Sequence, residues 1–434
     1  MRPTVTRLDR ASLHGSLHDP VLGSIGFLNE VMQRHPGTIS FAPGAPHPDL
    51  LPDTGLQRYV DRFVDHLVDD RGLTPERARR LLREYGPSRG LINELVAEAL
   101  ARDYGIAAGP GAVVITVGAQ EAMLLVLRTL FGSPDDLLAV ANPCFVGITG
   151  AARLLDIDVV GVRETADGID PDCLAGLCAA ARGAGRRVRA CYVAPDFSNP
   201  GGGRMSLACR QELLRLAERE DFLVLEDNAY GFTAPSGCEL PMLKSLDSTG
   251  RVVHIGTFAK IAFPGARVGY VVADQTVTGP CGGTRLLADE LAVVKGMVTV
   301  NTSPLSQAVV AGMLLDHGGS LIALSRDKSR LYRRNLECLI AALDRHLTGA
   351  APGVRWNRPD GGFFVRLRLP VPVTTGLLER CATEYGVLWT PMAPFYTDAS
   401  GDHELRLSCS YLSPDQIETG VRRLARFLRT EVRP

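Results

Sequence analysis

The chain has 434 residues, of which 45% are hydrophobic and 22% charged, and its formal net charge is −1. These values are typical of a folded globular protein that is long enough for two domains. Because the net charge is close to zero, no long-range field attracts nucleic acid or an acidic membrane surface, and neither is expected as a partner.

The N-terminal residues and the cysteines bear on the compartment. Residues 1–20 carry Arg, His and Asp without the apolar core of a signal peptide, and no run of about 18 apolar residues predicts a membrane span. The ten cysteines are scattered without a C-x-x-C pair, a pattern that favours buried thiols over disulfides or zinc ligands. We therefore expect a cytoplasmic protein that binds no metal.

The first two-thirds of the chain predict an arm followed by a large domain. Residues 1–54 are expected to form an N-terminal arm that ends in a Pro/Gly-rich segment at 41–49, and residues 55–318 the large domain. Its predicted strands lie at 113–117, 137–141, 158–162, 190–194, 222–225, 252–255 and 268–272, with the clearest helices at 119–131, 171–181 and 206–220. Strands that are apolar throughout and separated by helices predict an α/β fold with a mostly parallel, seven-stranded type of sheet covered by helices.

The pattern changes after about residue 320. An arginine-rich helix is predicted at 325–347, strands at 353–356, 361–367 and 405–409, and helices at 375–385 and 414–429. Helices and strands in this mixed order predict a smaller α+β C-terminal domain over residues 319–434.

Lys260 follows the predicted strand at 252–255 and is one of only four lysines in a chain whose other basic residues are arginines. Arginine stays protonated and cannot form an imine, whereas a lysine with a lowered pKa can. We therefore interpret Lys260 as a functional amine rather than a residual surface lysine. The other lysines are Lys244, Lys295 and Lys328.

Ligands of α/β sheets bind at the carboxyl ends of the strands, and three such ends carry informative residues. Gly118 opens a helix after the strand at 113–117, so its neighbours could present free N–H groups to a phosphate, although a routine strand–helix turn has the same sequence. Asn199 precedes a proline and is either a rigid amide donor or part of an ordinary Asn-Pro turn. Asp227 directly follows an apolar strand, so its carboxylate needs a cation unless it only caps a loop.

Asp227 and Lys260 follow successive predicted strands, so we expect them to be neighbours in space. A carboxylate, an imine-forming amine, an amide donor and a phosphate cradle are together what pyridoxal phosphate requires. The lysine holds the aldehyde as a Schiff base, and the carboxylate keeps the pyridine nitrogen protonated. The sequence therefore predicts pyridoxal 5′-phosphate as the cofactor.

These motifs resemble the fold-type-I pyridoxal-phosphate enzymes of the class I/II aminotransferase family, in particular its α-aminoadipate and kynurenine aminotransferase branch. The resemblance spans residues 41–406. It implies three catalytic residues: Lys260, which forms the Schiff base and transfers protons, Asp227 on the ring nitrogen, and Tyr230 on the ring oxygen.

The same resemblance implies the remaining site residues and a homodimer. The further cofactor-binding residues would be Asn199 at the ring oxygen, Ala119, Gln120, Thr257 and Arg267 at the phosphate, Phe145 against the ring face, and Tyr85 at the phosphate of the neighbouring subunit. The substrate-binding residues would be Arg406, Asn199 and Gly44, with Arg406 gripping the α-carboxylate in a bidentate manner. A solvent-facing strand position is the alternative interpretation of Arg406.

Four positions depart from the usual pattern of that family. Ala259 stands where a hydroxyl residue commonly precedes the lysine, Gly201 where Thr commonly follows Asn-Pro, Phe145 where Tyr is usual, and Met392 where Gly often follows a proline. None of these changes removes the core apparatus, but they leave the reaction type open.

The resemblance implies an aminotransferase that acts on an α-amino acid through a Lys260 Schiff base and a quinonoid intermediate. The alternative is an enzyme of specialised metabolism that performs β- or γ-elimination, replacement or cyclisation on an amino-acid substrate, S-adenosylmethionine-like compounds included. A third hypothesis is a non-catalytic effector domain of a regulator. Such regulators carry a DNA-binding domain ahead of this fold, and about 40 residues before the first motif are too few for one.

Overall fold

The computed structural model describes residues 6–51, 55–349 and 352–431, so parts of the predicted arm (1–5 and 52–54) and C-terminal domain (350–351 and 432–434) lie outside the described residues. The helices are α1 (Pro20–Arg34), α2 (Leu56–Asp69), α3 (Pro75–Leu81), α4 (Asn93–Tyr104), α5 (Gly118–Leu130), α6 (Val146–Leu154), α7 (Pro171–Gly183), α8 (Leu207–Glu220), α9 (Leu243–Leu246), α10 (Leu287–Val298), α11 (Pro304–Asp316), α12 (Leu321–Leu347), α13 (Thr375–Tyr385) and α14 (Pro414–Glu431). The strands are β1 (Ile39–Ser40), β2 (Val113–Thr116), β3 (Asp136–Asn142), β4 (Asp158–Thr165), β5 (Gly168–Ile169), β6 (Arg187–Val193), β7 (Leu223–Asn228), β8 (Val252–Thr257), β9 (Gly269–Val272), β10 (Thr276–Thr278), β11 (Thr284–Leu286), β12 (Arg355–Trp356), β13 (Phe364–Arg368), β14 (Val387–Leu388), β15 (Thr390–Pro391) and β16 (Glu404–Ser408).

The largest sheet of the described residues has the order β2-β9-β8-β7-β6-β3-β4-β5. Its central run, β8-β7-β6-β3-β4, is parallel, and β9 lies antiparallel between β2 and β8. The predicted α/β fold with a mostly parallel sheet is confirmed. The eighth strand, β5, was not predicted because it is a two-residue partner of β4 in a tight hairpin.

Both faces of this sheet are covered by helices, as the continuous apolar strands predict. In β3, Leu138 joins a core with helices α5 and α6, whereas its neighbour Leu137 joins a second core with α7 and α8. Successive side chains of a strand point to opposite faces, so two adjacent buried leucines require two covering layers. The ends of the parallel strands are then the part of the sheet left open to a ligand.

The C-terminal part of the chain forms a separate antiparallel sheet with the order β12-β13-β16-β15. Helices α12, α13 and α14 contribute to the hydrophobic core beside it, and β1 of the arm pairs in parallel with β14. Helix α12 begins four residues earlier than predicted, because Ser320 is the N-cap and accepts a hydrogen bond from the Ala323 amide. Ser325, taken as the start, is buried inside the helix instead.

No single helix of the described residues is long and apolar enough to cross a membrane. Helices α11 and α12 meet the criterion only as a pair, and they are bent by 86° at the break between them.

Candidate active site

A cavity of about 400 Å³ lies where the parallel strands end, beside the arm segment 42–46 and β16. Every residue of the predicted site except Tyr85 lines it within the described chain. These residues are Gly44, Ala119, Gln120, Phe145, Asn199, Asp227, Tyr230, Thr257, Lys260, Arg267 and Arg406.

Lys260 lies three residues beyond the end of β8 and points into this cavity, where its Nζ donates a hydrogen bond to the Gly44 carbonyl at 2.6 Å. Burial lowers the pKa of Lys260 to about 8, and the positive charges of Arg406 and Arg267 act in the same direction. A pKa this close to neutrality leaves a sizeable fraction of the amine uncharged. The amine is therefore able to act both as a nucleophile and as a proton carrier.

Asp227 lies near the end of β7 and is buried in the wall of the same cavity. The Tyr192 hydroxyl donates to its Oδ2 at 2.6 Å, whereas Oδ1 has no hydrogen-bond partner among the described residues. Burial raises the pKa of Asp227 to about 6, although Tyr192 and nearby positive charge oppose the rise. A buried carboxylate oxygen without a partner is costly, and the N–H of a protonated pyridine supplies the donor that it lacks.

Tyr192 is a site residue that the sequence interpretation missed. It lies in the apolar strand β6 and is almost fully buried, so its sequence context is that of an ordinary core residue. The available signal was its hydroxyl, because a buried tyrosine usually finds a hydrogen-bond partner at the polar end of its ring.

The start of α5 forms a cradle suited to a phosphate. Gly118 has a φ of 74°, and a Cβ at this position would lie 2.6 Å from the Arg267 guanidinium. A Cβ at Gly269 would lie 2.7 Å from the Gly118 backbone, so two glycines allow this helix end to lie directly on β9. The N-terminal amides of the helix, including those of Ala119 and Gln120, are thus held close to a guanidinium, an arrangement that favours a dianion.

The other polar groups of the cradle are partly engaged by the protein. The Thr257 hydroxyl accepts a hydrogen bond from the Ala259 amide at 3.1 Å, so the position before the lysine takes part through its backbone. The Gln120 side chain donates to the Gly147 carbonyl at 2.9 Å. Its backbone N–H therefore remains the group that Gln120 offers to an anion.

Arg406 is buried on β16, which excludes the alternative of a solvent-facing strand residue. Its guanidinium donates to Asn199 Oδ1 at 2.5 Å and to the Ala42 carbonyl at 2.7 Å. It also lies 4.4 Å from the centre of the Phe364 ring. Burial lowers the pKa of Arg406 to about 10, and its Nε has no partner among the described residues. The side chain is thus a rigid, desolvated cation with donor capacity left for a carboxylate.

Tyr85 is the one predicted site residue that its own chain does not bring to the cavity. Its side chain is 87% exposed, just after α3. The resemblance implied a contact with the neighbouring subunit, so an outward position is compatible with that expectation without testing it.

Two of the departures from the family pattern acquire a structural account. A Cβ at Gly201 would lie 3.3 Å from Glu164 Oε2, so the space of the usual threonine is occupied by a carboxyl group from β4. Burial raises the pKa of Glu164 to about 7, with Arg366 opposing the rise. Met392 is fully buried and is not among the residues that line the cavity, so it does not reshape the cavity wall directly.

Comparison with known proteins agrees with this geometry. The family model for class I and II aminotransferases matches residues 59–424. The (S)-3,5-dihydroxyphenylglycine transaminase of Amycolatopsis orientalis is 47% identical over 428 residues, which cover 99% of this chain and 96% of that protein.

Solved structures show the same fold. A Pyrococcus horikoshii kynurenine aminotransferase, crystallised with PMP, superimposes with a TM-score of 0.81 at 26% identity and covers 98% of this chain and 96% of its own. The α-aminoadipate aminotransferase LysN of Thermus thermophilus gives 0.76 at 29% identity, with 96% and 98% covered. The predicted family and cofactor are therefore confirmed: the chain belongs to the class I and II aminotransferases and is a pyridoxal-phosphate-dependent transferase that acts on amino acids.

Proposed function

We propose that this aminotransferase acts on an aromatic α-amino acid. The observation that carries the proposal is the set of cations around the cavity: within the described residues these are Lys260, Arg267 and Arg406. Each has a role at the amine, phosphate or α-carboxylate position, so none remains for a second substrate carboxylate. The cavity wall near Arg406 is instead apolar, formed by Pro43, Ala45, Pro46 and Phe395.

The names of similar proteins support the same substrate class. The relative at 47% identity is named for (S)-3,5-dihydroxyphenylglycine, and the structure at TM-score 0.81 is a kynurenine aminotransferase. Both names refer to amino acids with an aromatic ring. LysN is named for α-aminoadipate, which carries a second carboxylate and would need a cation that this cavity does not offer.

The bound cofactor supplies an aldehyde and an electron-withdrawing ring. We propose that Lys260 Nζ would hold the aldehyde until the substrate amine takes its place, and that the freed amine would then remove the proton from the substrate Cα and deliver it to the former aldehyde carbon of the cofactor. Arg406 binds the α-carboxylate and so fixes that Cα beside the amine. Asp227 would hold a proton on the ring nitrogen through its Oδ1, which has no partner among the described residues.

The remaining roles follow the expectations from the sequence. Burial raises the pKa of Tyr230, so its hydroxyl stays protonated and can donate to the ring oxygen together with the Asn199 amide. Phe145 offers an aromatic surface to the ring face. The phosphate would be bound by the amides of Ala119 and Gln120, the Thr257 hydroxyl and the Arg267 guanidinium.

A half-reaction experiment tests the substrate class. Purified holoenzyme is mixed with single amino acids, and the loss of the absorbance of the lysine-bound cofactor is followed. We expect kcat/KM for phenylalanine, tyrosine and arylglycines to exceed that for glutamate and 2-aminoadipate by about 100-fold or more, because burying an unpaired carboxylate costs several kcal/mol. Faster reaction with the dicarboxylic amino acids would refute the proposal, and steady turnover without a 2-oxo acid acceptor would indicate elimination chemistry instead.

We further propose that two copies of the chain form a homodimer through the surface around Tyr85. Met297, Val300 and Leu305 expose apolar side chains, and Gly86 lies close to Asn301 of the same region. Val300 is a β-branched residue with a φ of 65°, a strained conformation that persists only where the surroundings hold it. An apolar surface next to a strained turn supports an interface rather than a solvated face.

Mixed dimers of two impaired variants test whether Tyr85 acts across this interface. A Tyr85→Ala subunit keeps its own Lys260 amine but cannot supply the Tyr85 side chain to the site of its partner. A Lys260→Ala subunit can supply the Tyr85 side chain but has no amine in its own site. We expect a refolded equal mixture to recover about a quarter of wild-type activity, because half of the dimers are mixed and each has one complete site. Mixing Lys260→Ala with a subunit that carries both changes is the control and should recover nothing. Verified mixed dimers without recovery would contradict a contribution of Tyr85 to the partner's site.

We also propose the division into an arm (1–54), a large domain (55–318) and a small domain (319–434), together with a cytoplasmic location. The separate sheets over 113–272 and 355–408 support the division. All ten cysteines lie in the described residues and none forms a disulfide there, which supports a reducing compartment.

A further inference from the structure

The lysines other than Lys260 are all buried, and one of them lacks a counter-charge. Lys295 is paired with Glu121, and Lys244 with Asp274. Lys328 forms no ion pair with any described residue, and its Nζ donates to the carbonyls of Ile261 at 2.6 Å and Ala262 at 2.5 Å. Because a buried ammonium without a carboxylate is costly, the two carbonyls are the groups that stabilise it among the described residues.

The two carbonyls belong to the turn that carries Lys260. The Ala262 amide donates to the Phe258 carbonyl at 2.8 Å, which closes the turn around the lysine. The first two carbonyls after Lys260, those of Ile261 and Ala262, accept hydrogen bonds from the Lys328 ammonium. The last carbonyls of a helix interact with a cation in the same way. Lys328 is therefore hydrogen-bonded to the backbone from which the Lys260 side chain extends.

Two further buried polar residues lie on the same side of α12 as Lys328. Tyr332 and Asn335 follow it at spacings of four and three residues, which place all three along one face of the helix. The Tyr332 hydroxyl accepts a hydrogen bond from the His47 amide at 3.2 Å. His47 lies in the arm three residues after Gly44, whose carbonyl accepts a hydrogen bond from Lys260.

Asn335 connects the same face to the strand that carries the substrate-binding arginine. Its Nδ2 donates to the carbonyls of Cys409 at 3.1 Å and Leu412 at 2.7 Å. Cys409 directly follows β16, three residues after Arg406. One helix face thus makes hydrogen bonds to the Lys260 turn, to the arm and to the end of the Arg406 strand.

Building on the roles proposed above for Lys260 and Arg406, we propose that Lys328, Tyr332 and Asn335 form a positioning element, the α12 polar face. It sets the separation between the amine that moves the proton and the guanidinium that holds the substrate. Lys328 acts through the Lys260 turn, and Asn335 acts through the Arg406 strand, about 10 Å further along the helix. The two ends of the face should therefore affect different kinetic constants.

Two variants and one control separate positioning from a purely structural role. Lys328→Met should lower kcat by about 10- to 100-fold and leave KM within about 3-fold, because it displaces the amine but not the carboxylate site. Asn335→Leu should raise KM by about 10-fold with a smaller effect on kcat. Ser325→Ala removes a buried hydroxyl whose one hydrogen bond among the described residues is to the Ile322 carbonyl of its own helix, and it should change neither constant.

A spectroscopic readout accompanies the kinetics. The absorbance of the lysine-bound cofactor is titrated with pH in each holoenzyme, and Lys328→Met should move the midpoint by about half a unit or more, whereas Asn335→Leu should not. If Lys328→Met does not fold, Tyr332→Phe carries the test, since it keeps the ring against Phe363 and should still lower kcat/KM by about 3- to 10-fold through the arm.

Two results would overturn the inference. The first is an unshifted pH titration of Lys328→Met together with the same change in kcat and KM in Lys328→Met and Asn335→Leu. The second is a loss of thermal stability with wild-type kcat and KM in the variants of Lys328, Tyr332 and Asn335. Failure of the proposed catalytic roles is distinguishable, because it would show as a Lys260→Ala enzyme that remains active.

Discussion

Replacing Lys260 with alanine is expected to lower the rate of transamination by about 10⁴-fold or more while the protein still binds pyridoxal phosphate. Among the described residues that line the cavity, the Lys260 amine alone can both hold the aldehyde and carry the Cα proton. General acid–base catalysis by itself contributes about 10²- to 10⁴-fold. No other lysine can substitute, because Lys295 and Lys244 are paired with carboxylates and Lys328 with backbone carbonyls. The cradle of Arg267 and the α5 amides remains intact, so the cofactor stays bound.

The measurement is the half-reaction with the best amino acid of the panel, after free cofactor has been removed by desalting. Lys244→Met is a matched control, since it also deletes a buried amine. The Lys244 Nζ donates to Asp274 Oδ1 at 2.6 Å and does not line the cavity, so the rate of this variant should stay within about 2-fold of wild type. An added primary amine should restore part of the Lys260→Ala rate if proton transfer is the missing function. A variant that retains more than about a tenth of the wild-type rate would contradict the assignment.

The large sheet and most of the cavity wall are predictable from the sequence for one physical reason. Parallel strands buried on both faces are continuous apolar runs, and their carboxyl ends meet at one edge of the sheet. A polar residue at the end of such a run, as Asp227 is, or a few residues beyond it, as Lys260 is, is therefore placed at the ligand edge without any knowledge of tertiary contacts. Strand β5 is not predictable in this way, because a strand of two residues is too short to show a hydrophobic pattern.

Other features depend on contacts between distant segments, and the sequence does not show them. Tyr192 is indistinguishable from a core tyrosine until the β6–β7 pairing brings its hydroxyl to Asp227. Lys328 and Asn335 look like polar positions of an arginine-rich helix, and only the packing of α12 beneath the Lys260 turn and behind β16 reveals that they are buried donors. The proximity of Glu164 to Gly201 is not predictable from the sequence for the same reason, since the two residues lie in separate segments that only the folded sheet brings together.

Replacing Asp227 with asparagine is expected to lower the transamination rate by about 10³-fold. In the proposed mechanism this carboxylate is the negative charge that would keep the ring nitrogen protonated, and removing one preorganised electrostatic partner of a reacting group costs about 10²- to 10³-fold. The asparagine has nearly the same shape and can still accept the Tyr192 hydrogen bond, so the change removes charge rather than packing. The single-turnover half-reaction measures the effect, with Asp227→Glu as the control that restores the charge at a displaced position and should recover part of the rate.

The same substitution is expected to stabilise the cofactor-free protein. Burial raises the pKa of Asp227 from 3.8 to about 6, so the folded state binds this proton more tightly than the unfolded state does. Stability from this group is therefore complete below about pH 4 and is lost as the pH rises through 6, with a cost near pH 7 of about 3 kcal/mol. Asparagine carries no charge to bury, so urea unfolding of the apoprotein at pH 7 should show Asp227→Asn about 1–3 kcal/mol more stable than wild type, with a difference that shrinks towards pH 4.

Addition of pyridoxal phosphate should reduce or reverse that difference, because the ring nitrogen supplies the partner that Oδ1 lacks in the free protein. An apoprotein variant that is no more stable at pH 7 than at pH 4, relative to wild type, would contradict the assignment of the cost to this carboxylate. The buried Asp227 carboxylate lowers the stability of the cofactor-free protein, and this cost is offset only when the cofactor binds. Such a cost is expected of a site that is electrostatically complementary to its ligand and not to itself. The activity lost and the stability gained should therefore come from the same oxygen atom.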